Sequence, residues 1–319
     1  MVVLIGTSPS WIPEVLDYLT VHDIDVLLVS YQPPENAPVR GVVRIDYVSG
    51  VDILLRHLAE CGCRRPALYG CFTNSSADSI KRRAFIENTS QPETIEYADI
   101  FENHTGLARC YEDFRPRACE FDSVLCVNDI AAASLINRLR TDRIHVPEDL
   151  QVVCFGSSEI SRLYRPSITS LALKNAELGR QAVSAFAYLS KAERNVSVSV
   201  RVGGSLIVRE STHSDGIILS DMFAHISKHP LNSSFYEDDE VKAFTTLENI
   251  LTSCDELDIS ILRNILIDET TEHIAEKLSL ASETVRYRVR RILQNAGMKS
   301  RSELLAYIRG NNFGGVICK

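Results

Sequence analysis

Basic side chains are concentrated in one stretch near the C-terminal end of the chain. Six of them, and no acidic residue, lie between Thr284 and Arg301. They are Arg286, Arg288, Arg290, Arg291, Lys299 and Arg301. Guanidinium and ammonium groups bind phosphate oxygens, and arginine also pairs with guanine in a DNA major groove. The chemistry that this stretch predicts is nucleic-acid recognition.

Apolar residues in and before this stretch predict two short helices joined by a tight turn. One aliphatic set is spaced at i, i+4, i+7 and i+8, as on one face of a helix: Val285, Val289, Ile292 and Leu293. A second apolar set lies just upstream: Ile274, Ala275, Leu278 and Leu280. A second helix with one buried and one basic face is typical of a recognition helix.

The roles of the polar side chains follow from their positions on this helix. We predict groove and base-edge contacts for Thr284, Val285, Arg286 and Arg288. Phosphate or rim contacts are predicted for three others, which are Tyr287, Arg290 and Arg291. Arginine runs are also common on solvated helix faces, so charge and periodicity alone leave DNA binding and a plain surface helix open.

The wider pattern resembles the LuxR-type helix-turn-helix over about the last sixty-five residues. The matching blocks are residues 257–266, 270–280, 283–286 and 295–305. Two positions depart from the family pattern. Ala281 stands where a serine usually caps the recognition helix, and Ser282 is expected to take that role. Arg288 replaces the usual histidine and adds charge.

Composition indicates an ordinary globular protein of two or three domains. The chain has 319 residues, with 45% hydrophobic and 24% charged residues. Its net charge of −8 means that any DNA affinity has to come from a local patch. Nine scattered cysteines, no apolar run of membrane-spanning length and a first segment unlike a signal peptide favour a cytoplasmic location. We expect no metal site, because Cys61 and Cys63 lack a second pair of ligands, and no cofactor.

The first 210 residues alternate short apolar runs with helical patterns. Predicted strands are residues 2–5, 26–29, 67–69, 123–127 and 150–155. Predicted helices are residues 12–19, 50–61, 79–88, 129–139 and 175–189. This alternation predicts an α/β fold of doubly wound parallel sheets, with ligands bound outside the carboxyl ends of the strands.

Five blocks in this region resemble the effector domain of the lactose/galactose-repressor family, which is similar to periplasmic sugar-binding proteins. They are residues 46–68, 126–132, 146–155, 166–171 and 206–211. The resemblance implies two lobes with a ligand cleft between them and three crossing segments. One lobe would hold residues 1–70 and 170–193, and the other residues 71–168 and 196–210.

The resemblance also implies a set of ligand-binding residues, which are Phe72, Ser75, Lys81, Phe101, Asn128 and Ser157. Asn128 matches an asparagine that binds ligand hydroxyls, and Phe101 matches an aromatic that packs on a sugar or base ring. Lys81 stands in place of an arginine, and Gly156 and Ser157 replace two aspartates. The cleft therefore either binds an altered polar ligand or has lost its ligand and serves as a dimerisation body.

The domain organisation departs from that family at both ends. The opening strands and helices of the first lobe and the usual N-terminal DNA-binding headpiece have no counterpart, so we expect a truncated first lobe with an unpaired sheet edge and a start further upstream. The predicted division is an effector domain at 1–210, a linker at 211–250 and a helix-turn-helix domain at 251–319. Within the linker, residues 216–226 and 241–251 are predicted helices.

These features favour a ligand-responsive, DNA-binding transcriptional regulator that acts as a homodimer, with no membrane partner. The alternative is a small-molecule receptor or protein-interaction module without specific DNA binding. An enzyme is not expected, because the acids and imidazole available form no nucleophile-base set. Those groups are Asp46, His57, Asp129 and Asp149.

Overall fold

The computed structural model describes residues 1–6, 11–30, 33, 37–72, 74–89, 98–213 and 238–313. These residues form two α/β lobes followed by an all-helical region, which confirms the predicted fold class. The predicted helix at 216–226 lies outside the described residues. The predicted helix at 241–251 is present as part of Asp239–Thr252.

The strands and helices have the following bounds. The strands are β1 (Val2–Ile5), β2 (Val26–Val29), β3 (Gly41–Ile45), β4 (Pro66–Phe72), β5 (Asp99–Asn103), β6 (Ser123–Cys126), β7 (Gln151–Gly156), β8 (Thr169–Ala172), β9 (Val198–Val202) and β10 (Ser205–Ile207). The helices are α1 (Trp11–Val21), α2 (Tyr47–Glu60), α3 (Ser76–Thr89), α4 (Leu107–Phe114), α5 (Asp129–Thr141), α6 (Glu159–Leu163), α7 (Asn175–Leu189), α8 (Asp239–Thr252), α9 (Glu256–Leu266), α10 (Thr271–Lys277), α11 (Ser282–Asn295) and α12 (Arg301–Gly310).

The first lobe is a parallel sheet with strand order β1-β2-β3-β9. Strand β2 is buried at every position, because α1 packs on one face of the sheet and α7 on the other. Strand β1 lies at the edge of the sheet and leaves Val2, Val3 and Ile5 exposed. The predicted unpaired edge is therefore present in the described sheet.

The second lobe is a sheet with strand order β10-β8-β7-β6-β4-β5, in which only β10 runs antiparallel to its neighbour. The chain moves outward from β4 to β5 and then back across β4 to β6. Right-handed crossovers therefore put α3 on one face and α4 and α5 on the other. Helix α2 packs against α3 and against three strands of this sheet.

The predicted lobe boundaries were wrong at the first and third crossings and within a few residues of the structure at the second. The chain enters the second lobe after β3, at Asp46, rather than at residue 70, because α2 packs under the second sheet. It returns between β8 and α7 and leaves again between β9 and β10. Strand β9 thus belongs to the first lobe, although residues 196–210 were assigned to the second.

The C-terminal helices pack around two apolar clusters. Ile261, Ile274 and Val285, from α9, α10 and α11, are each fully buried in the first. The second, which contains Phe244, is continuous with the core of the second lobe. Helix α8 joins this domain through the ring of Phe244, whose centroid is 4.8 Å from that of Phe313. Helix α8 is therefore packed against the helical domain and is more than a connecting segment.

Two helical glycines provide a matched test of this packing. A Cβ at Gly50 would come within 2.7 Å of the side chains of Phe155 and Leu171, whereas a Cβ at Gly179 in α7 meets nothing within 4 Å. We expect Gly179→Ala to raise the free energy of unfolding by about 0.5–1 kcal/mol through helix propensity. Gly50→Ala should lower it by about 1–3 kcal/mol through overpacking. Urea unfolding of both variants checks this, and equal effects would contradict the placement of α2.

Candidate ligand cleft and candidate DNA-binding surface

Five of the six predicted ligand-binding residues lie around the carboxyl edge of the second sheet. Phe72 ends β4, Asn128 follows β6, and Ser157 follows β7. Ser75 precedes α3 and Lys81 lies within it. These five residues, which are separated in sequence, therefore lie together at one edge of one sheet, where ligands of doubly wound folds bind.

Lys81 is buried and its ammonium group is already bound. Its Nζ atom donates to Asp78 Oδ1 and to the carbonyl oxygen of Val127, each at 2.9 Å. It also lies 4.8 Å from the ring centroid of Tyr47 and 5.0 Å from that of Phe155. Burial lowers the pKa of Lys81, but the Asp78 carboxylate outweighs it and the pKa is raised. Lys81 is therefore a charged residue at the base of the cleft, and its ammonium group is paired within the protein.

Asn128 has one amide atom engaged and one available. Its Oδ1 atom caps α5 by accepting from the Ala131 N–H at 2.8 Å. Among the described residues, none accepts a hydrogen bond from its amide nitrogen, which can donate to a ligand hydroxyl. Ser75 is engaged as an acceptor from the Asp78 N–H at 3.2 Å. Among the described contacts, the amide nitrogen of Asn128 and the hydroxyl of Ser75 therefore both keep a donor for the predicted contact.

The loop after β7 is shaped by the carboxylate of Asp129. Its Oδ1 atom accepts from the N–H groups of Ser157 at 3.0 Å and Ser158 at 3.4 Å, and from the hydroxyl of Ser161. A Cβ at Gly156, where φ is +132°, would lie 1.7 Å from Asp129 Oδ2. An aspartate cannot occupy position 156 while Asp129 holds this place. Gly156 therefore leaves the space in which the Asp129 carboxylate lies.

Arg209 is a residue of this site that the sequence did not single out. Its Nη2 atom donates to Ser157 Oγ at 2.9 Å, and its Nη1 atom donates to Ser170 Oγ at 2.6 Å. It lies in the segment after β10, inside the last block that resembles the repressor family, which was the only signal for it. Tyr47, whose ring faces Lys81 and Phe155, was also missed.

Phe101 does not join the other predicted ligand residues. It lies in the middle of β5, and its ring packs against Phe114 at 5.0 Å and Phe121 at 5.5 Å between centroids. It is 6% exposed, so the structure makes it a core residue of the second lobe. The prediction of a ring-stacking contact at Phe101 is corrected on this ground.

Helix α8 binds the second lobe next to this edge through carboxylates. Glu248 accepts from the N–H groups of Glu159 at 2.9 Å and Ile160 at 2.8 Å, in the first turn of α6. Glu240 accepts from Ser134 Oγ at 2.7 Å and from Arg138 Nη2 at 2.6 Å in α5. Carboxylates at helix N-termini are stabilised by the unpaired N–H groups there. The loop that carries Ser157 therefore leads directly into the helix turn that Glu248 of α8 binds.

Burial governs the ionisation of the two carboxylates around α6. It raises the pKa of Glu248 to about 7, with the neighbouring Asp129 adding to the rise and the two backbone N–H groups opposing it. Burial also raises the pKa of Asp129, against the N–H groups of Ser157 and Ser158. The first turn of α6 therefore lies between two carboxyl groups that resist ionisation.

Helix α11 presents an exposed polar face. Thr284, Arg286, Tyr287 and Arg290 are exposed on it, with Tyr287 at 63%. Arg286 is held by Glu283 at 2.6 Å and Glu272 at 3.0 Å. Exposed ion pairs of this kind contribute little free energy, so a phosphate can displace them. These four predicted contact residues are placed as a groove-facing helix requires.

Arg288 and Arg291 point back into the helical domain. Arg288 Nη1 lies 2.7 Å from Asp255 Oδ2 and 2.9 Å from Asp258 Oδ1, and Arg291 also pairs with Asp258. Asp258 is fully buried and forms a capping box with Asp255 at the start of α9. Arg288 therefore neutralises an internal acid pair and does not add charge to the outer face.

Two further expectations for α11 are corrected. Val285 is fully buried in the helical core, so its side chain does not reach a groove. Ala281 occupies the N-cap position and makes no side-chain hydrogen bond, while Ser282 is the first residue of the helix. Ser282 therefore does not replace the missing capping serine.

The described residues contain no group of three or more histidine, cysteine, aspartate or glutamate side chains suited to hold a metal ion. In the same part of the chain, no helix is long and apolar enough to cross a membrane.

Comparison with known protein families agrees with this two-part arrangement. Residues 55–212 match the family described as "Periplasmic binding protein-like domain". Residues 256–308 match the family described as "Bacterial regulatory proteins, luxR family". Both families consist of regulatory or binding domains, not of enzymes.

Two curated relatives match the first part of the chain. The HTH-type transcriptional repressor PurR of Haemophilus influenzae (strain PittEE) is 24% identical over 165 residues, which are 50% of this chain and 48% of that protein. The NTD biosynthesis operon regulator NtdR of Bacillus subtilis (strain 168) is 25% identical over 201 residues, which are 60% of this chain and 55% of that protein. The chain thus spans about half the length of these relatives.

Solved structures share the two-lobe fold. The LacI family regulator CCPA from Weissella paramesenteroides with bound glucose has a TM-score of 0.54 and 21% identity, over 66% of this chain and 76% of that chain. The transcriptional regulator CelR–cellobiose complex has a TM-score of 0.55 and 22% identity, over 66% of this chain and 64% of that chain.

The raised pKa of Glu248 predicts a pH dependence of stability. In the folded protein the carboxyl group keeps its proton up to about pH 7, while the ordinary value is 4.5. The folded state therefore binds more protons between these values, and this contribution to the free energy of unfolding falls as pH rises through them. Glu248→Gln removes it, so the variant should gain about 1–3 kcal/mol relative to wild type between pH 5 and pH 8. Urea unfolding at both pH values measures this, and a pH-independent difference would contradict it.

Proposed function

We propose that this chain, in which a periplasmic-binding-protein-like domain precedes a LuxR-type helix-turn-helix domain, is a DNA-binding transcriptional regulator that responds to a small polar ligand. The observation that carries the proposal is the double packing of α8. One side of this helix binds α6 and α5 of the second lobe through Glu248 and Glu240, and Phe244 packs in the helical domain. A ligand that shifts the loop after β7 therefore acts on the DNA-binding domain through one helix.

The proposed DNA-binding surface is the exposed face of α11. Thr284, Arg286 and Tyr287 are placed to reach base edges, and Arg290 to reach phosphate. The charge on this face is local, which fits the net charge of −8 for the whole chain. Arg291 contributes through its ion pair with Asp258, which positions α11.

The proposed effector is a sugar or a related polar molecule held between the two lobes. Two solved structures with the same fold were determined with glucose and with cellobiose. In this chain the amide nitrogen of Asn128 supplies a free donor, and Tyr47 supplies an aromatic surface beside Phe155. Ser157 and Arg209 complete the polar wall.

Signalling is proposed to be a population shift between two arrangements of a homodimer. Ligand binding stabilises one position of α6, and Glu248 transfers that preference to α8. Since a dimer reads two half-sites at a fixed spacing, a small rotation of each helical domain changes DNA affinity.

The DNA-binding proposal is tested by a matched set of arginine substitutions. After selection of a site from genomic fragments, we expect wild-type affinity to fall steeply with salt. Arg290→Ala should reduce the salt slope by about 1 without loss of stability, because it removes one phosphate contact. Arg288→Met should lower the free energy of unfolding by about 1–3 kcal/mol, because the buried Asp258 loses a partner.

The contrast between the two variants separates the functions of the two faces of α11. Equal effects on stability, with no effect on binding, would contradict the proposed surface. The absence of any specific site at low salt would favour a receptor or protein-interaction module, in which the helical domain contacts another protein.

Signal transfer through α8 is tested with glucose and cellobiose as probes. We expect one or both to change the affinity of the wild-type protein for its selected site. In Glu248→Gln the same sugar should still raise the melting temperature, while its effect on DNA affinity becomes smaller. Measurement of both quantities separates ligand binding from coupling, and an unchanged effect on DNA affinity would exclude Glu248 as the connection.

A further inference from the structure

Two arginines lie side by side in the sheet of the first lobe. Arg44 of β3 and Arg201 of β9 are register partners in a parallel pair. Register partners on adjacent parallel strands point to the same face, and the strands are about 4.8 Å apart. Val43, Ile45 and Val202 face α7 on the opposite side. Both arginine side chains therefore extend from the same face of the sheet, which is the face that carries α1.

Among the described residues, none of the elements covers this face of the sheet where the arginines lie. Helix α1 packs over β1 and β2 and reaches β3 only at Val42. Arg201 is exposed and Arg44 is half-buried. The positive charges thus occupy an open shelf beyond the end of α1, formed by the last residues of β3 and β9.

Neither guanidinium has a counter-charge in contact. Within the described residues, neither Arg44 nor Arg201 makes a side-chain hydrogen bond or an ion pair, although most other arginines of this chain do. The nearest acid along the chain, Asp46, is engaged as the N-cap of α2, where it accepts from the N–H of Ser49 at 3.2 Å and from its hydroxyl at 2.9 Å. Within the described part of the chain, the shelf therefore carries two guanidinium groups without a contacting acid.

Further charge comes from the second lobe. Arg83 of α3 is close enough to act on Arg44: burial, Arg201 and Arg83 together lower the pKa of Arg44, and Asp46 opposes them. Like charges directly opposite on neighbouring strands destabilise a sheet. Two parallel guanidinium groups are also the arrangement that grips the oxygens of phosphate, since each offers a planar fork of donors.

We infer that Arg44 and Arg201 form an oxyanion site that takes a phosphate group. It lies on the α1 face of the first lobe and is separate from the residues at the carboxyl edge of the second sheet. The phosphate is either free or part of a small phosphorylated molecule.

Calorimetry and thermal unfolding of the full chain test the site. The probes are inorganic phosphate, glucose 6-phosphate and glucose, with sodium chloride at matched ionic strength. We expect wild type to bind phosphate and to melt at a higher temperature with it. Arg44→Gln and Arg201→Gln should each weaken phosphate binding by about tenfold or more, since a charged hydrogen bond is lost. Arg180→Gln, on α7 of the same lobe, is the control and should bind as wild type does.

The melting temperatures of the unliganded variants distinguish a ligand site from a structural role. If the arginines serve a ligand, removal of one relieves like-charge repulsion, so the melting temperature of unliganded Arg201→Gln should equal or exceed that of wild type. A marked fall in that temperature, together with unchanged phosphate binding, would overturn the site. So would an equal response to sodium chloride.

The probes also separate the two sources of the phosphate group. Tighter binding of glucose 6-phosphate than of phosphate or glucose identifies a phosphorylated small molecule, and tightest binding of inorganic phosphate identifies the free ion. No DNA is present in these measurements. Loss of DNA binding would therefore count against the proposed function and leave the oxyanion site standing.

Discussion

Helix α8 carries carboxylates that bind three different helices of the second lobe. Asp238 at its N-cap accepts from the first N–H of α4 at 3.0 Å, Glu240 binds α5, and Glu248 binds the first turn of α6. Two of these partners are helix N-termini, where N–H groups lack intrahelical acceptors. The same helix buries Phe244 against Phe313 of the helical domain. The C-terminal domain is therefore positioned by hydrogen bonds to the second lobe together with apolar packing of α8 in a shared core.

The helical domain also uses carboxylates to hold its helices together. Asp255 and Asp258 cap α9 just after α8 ends, and both are bound by arginines of α11. Arg288 holds the pKa of Asp255 below its usual range. Because of these ion pairs, we expect α11 to move together with α9 and α8. Breaking them would leave the buried carboxylate of Asp258 without a partner. Orientation of α11 is thus set by ion pairs on its inner side.

The sequence predicted the regular elements well and the individual side chains unevenly. Alternation of apolar runs and helical patterns located α7 with the bounds that the structure has, because its apolar spacing is strong. Strands β3, β5, β8, β9 and β10 were not recognised, because polar residues interrupt their apolar runs. The family resemblance implied a ligand contact at Phe101, but strand alternation turns that ring into the core. Charge counting assigned Arg288 to DNA, because the acids that bind it lie about thirty residues upstream.

The carboxylates on the two sides of α6 make this short helix sensitive to its surroundings. Asp129 binds the loop before it, and Glu248 binds its first turn from α8. Negative charge on Asp129 raises the pKa of Glu248, and both carboxyl groups are buried, so simultaneous ionisation is costly. In the proposed function, a ligand donor that approaches Ser157 competes for the hydrogen bonds of Asp129 and so changes the cost of charge on Glu248. This electrostatic contact is the proposed route from the cleft to the helical domain.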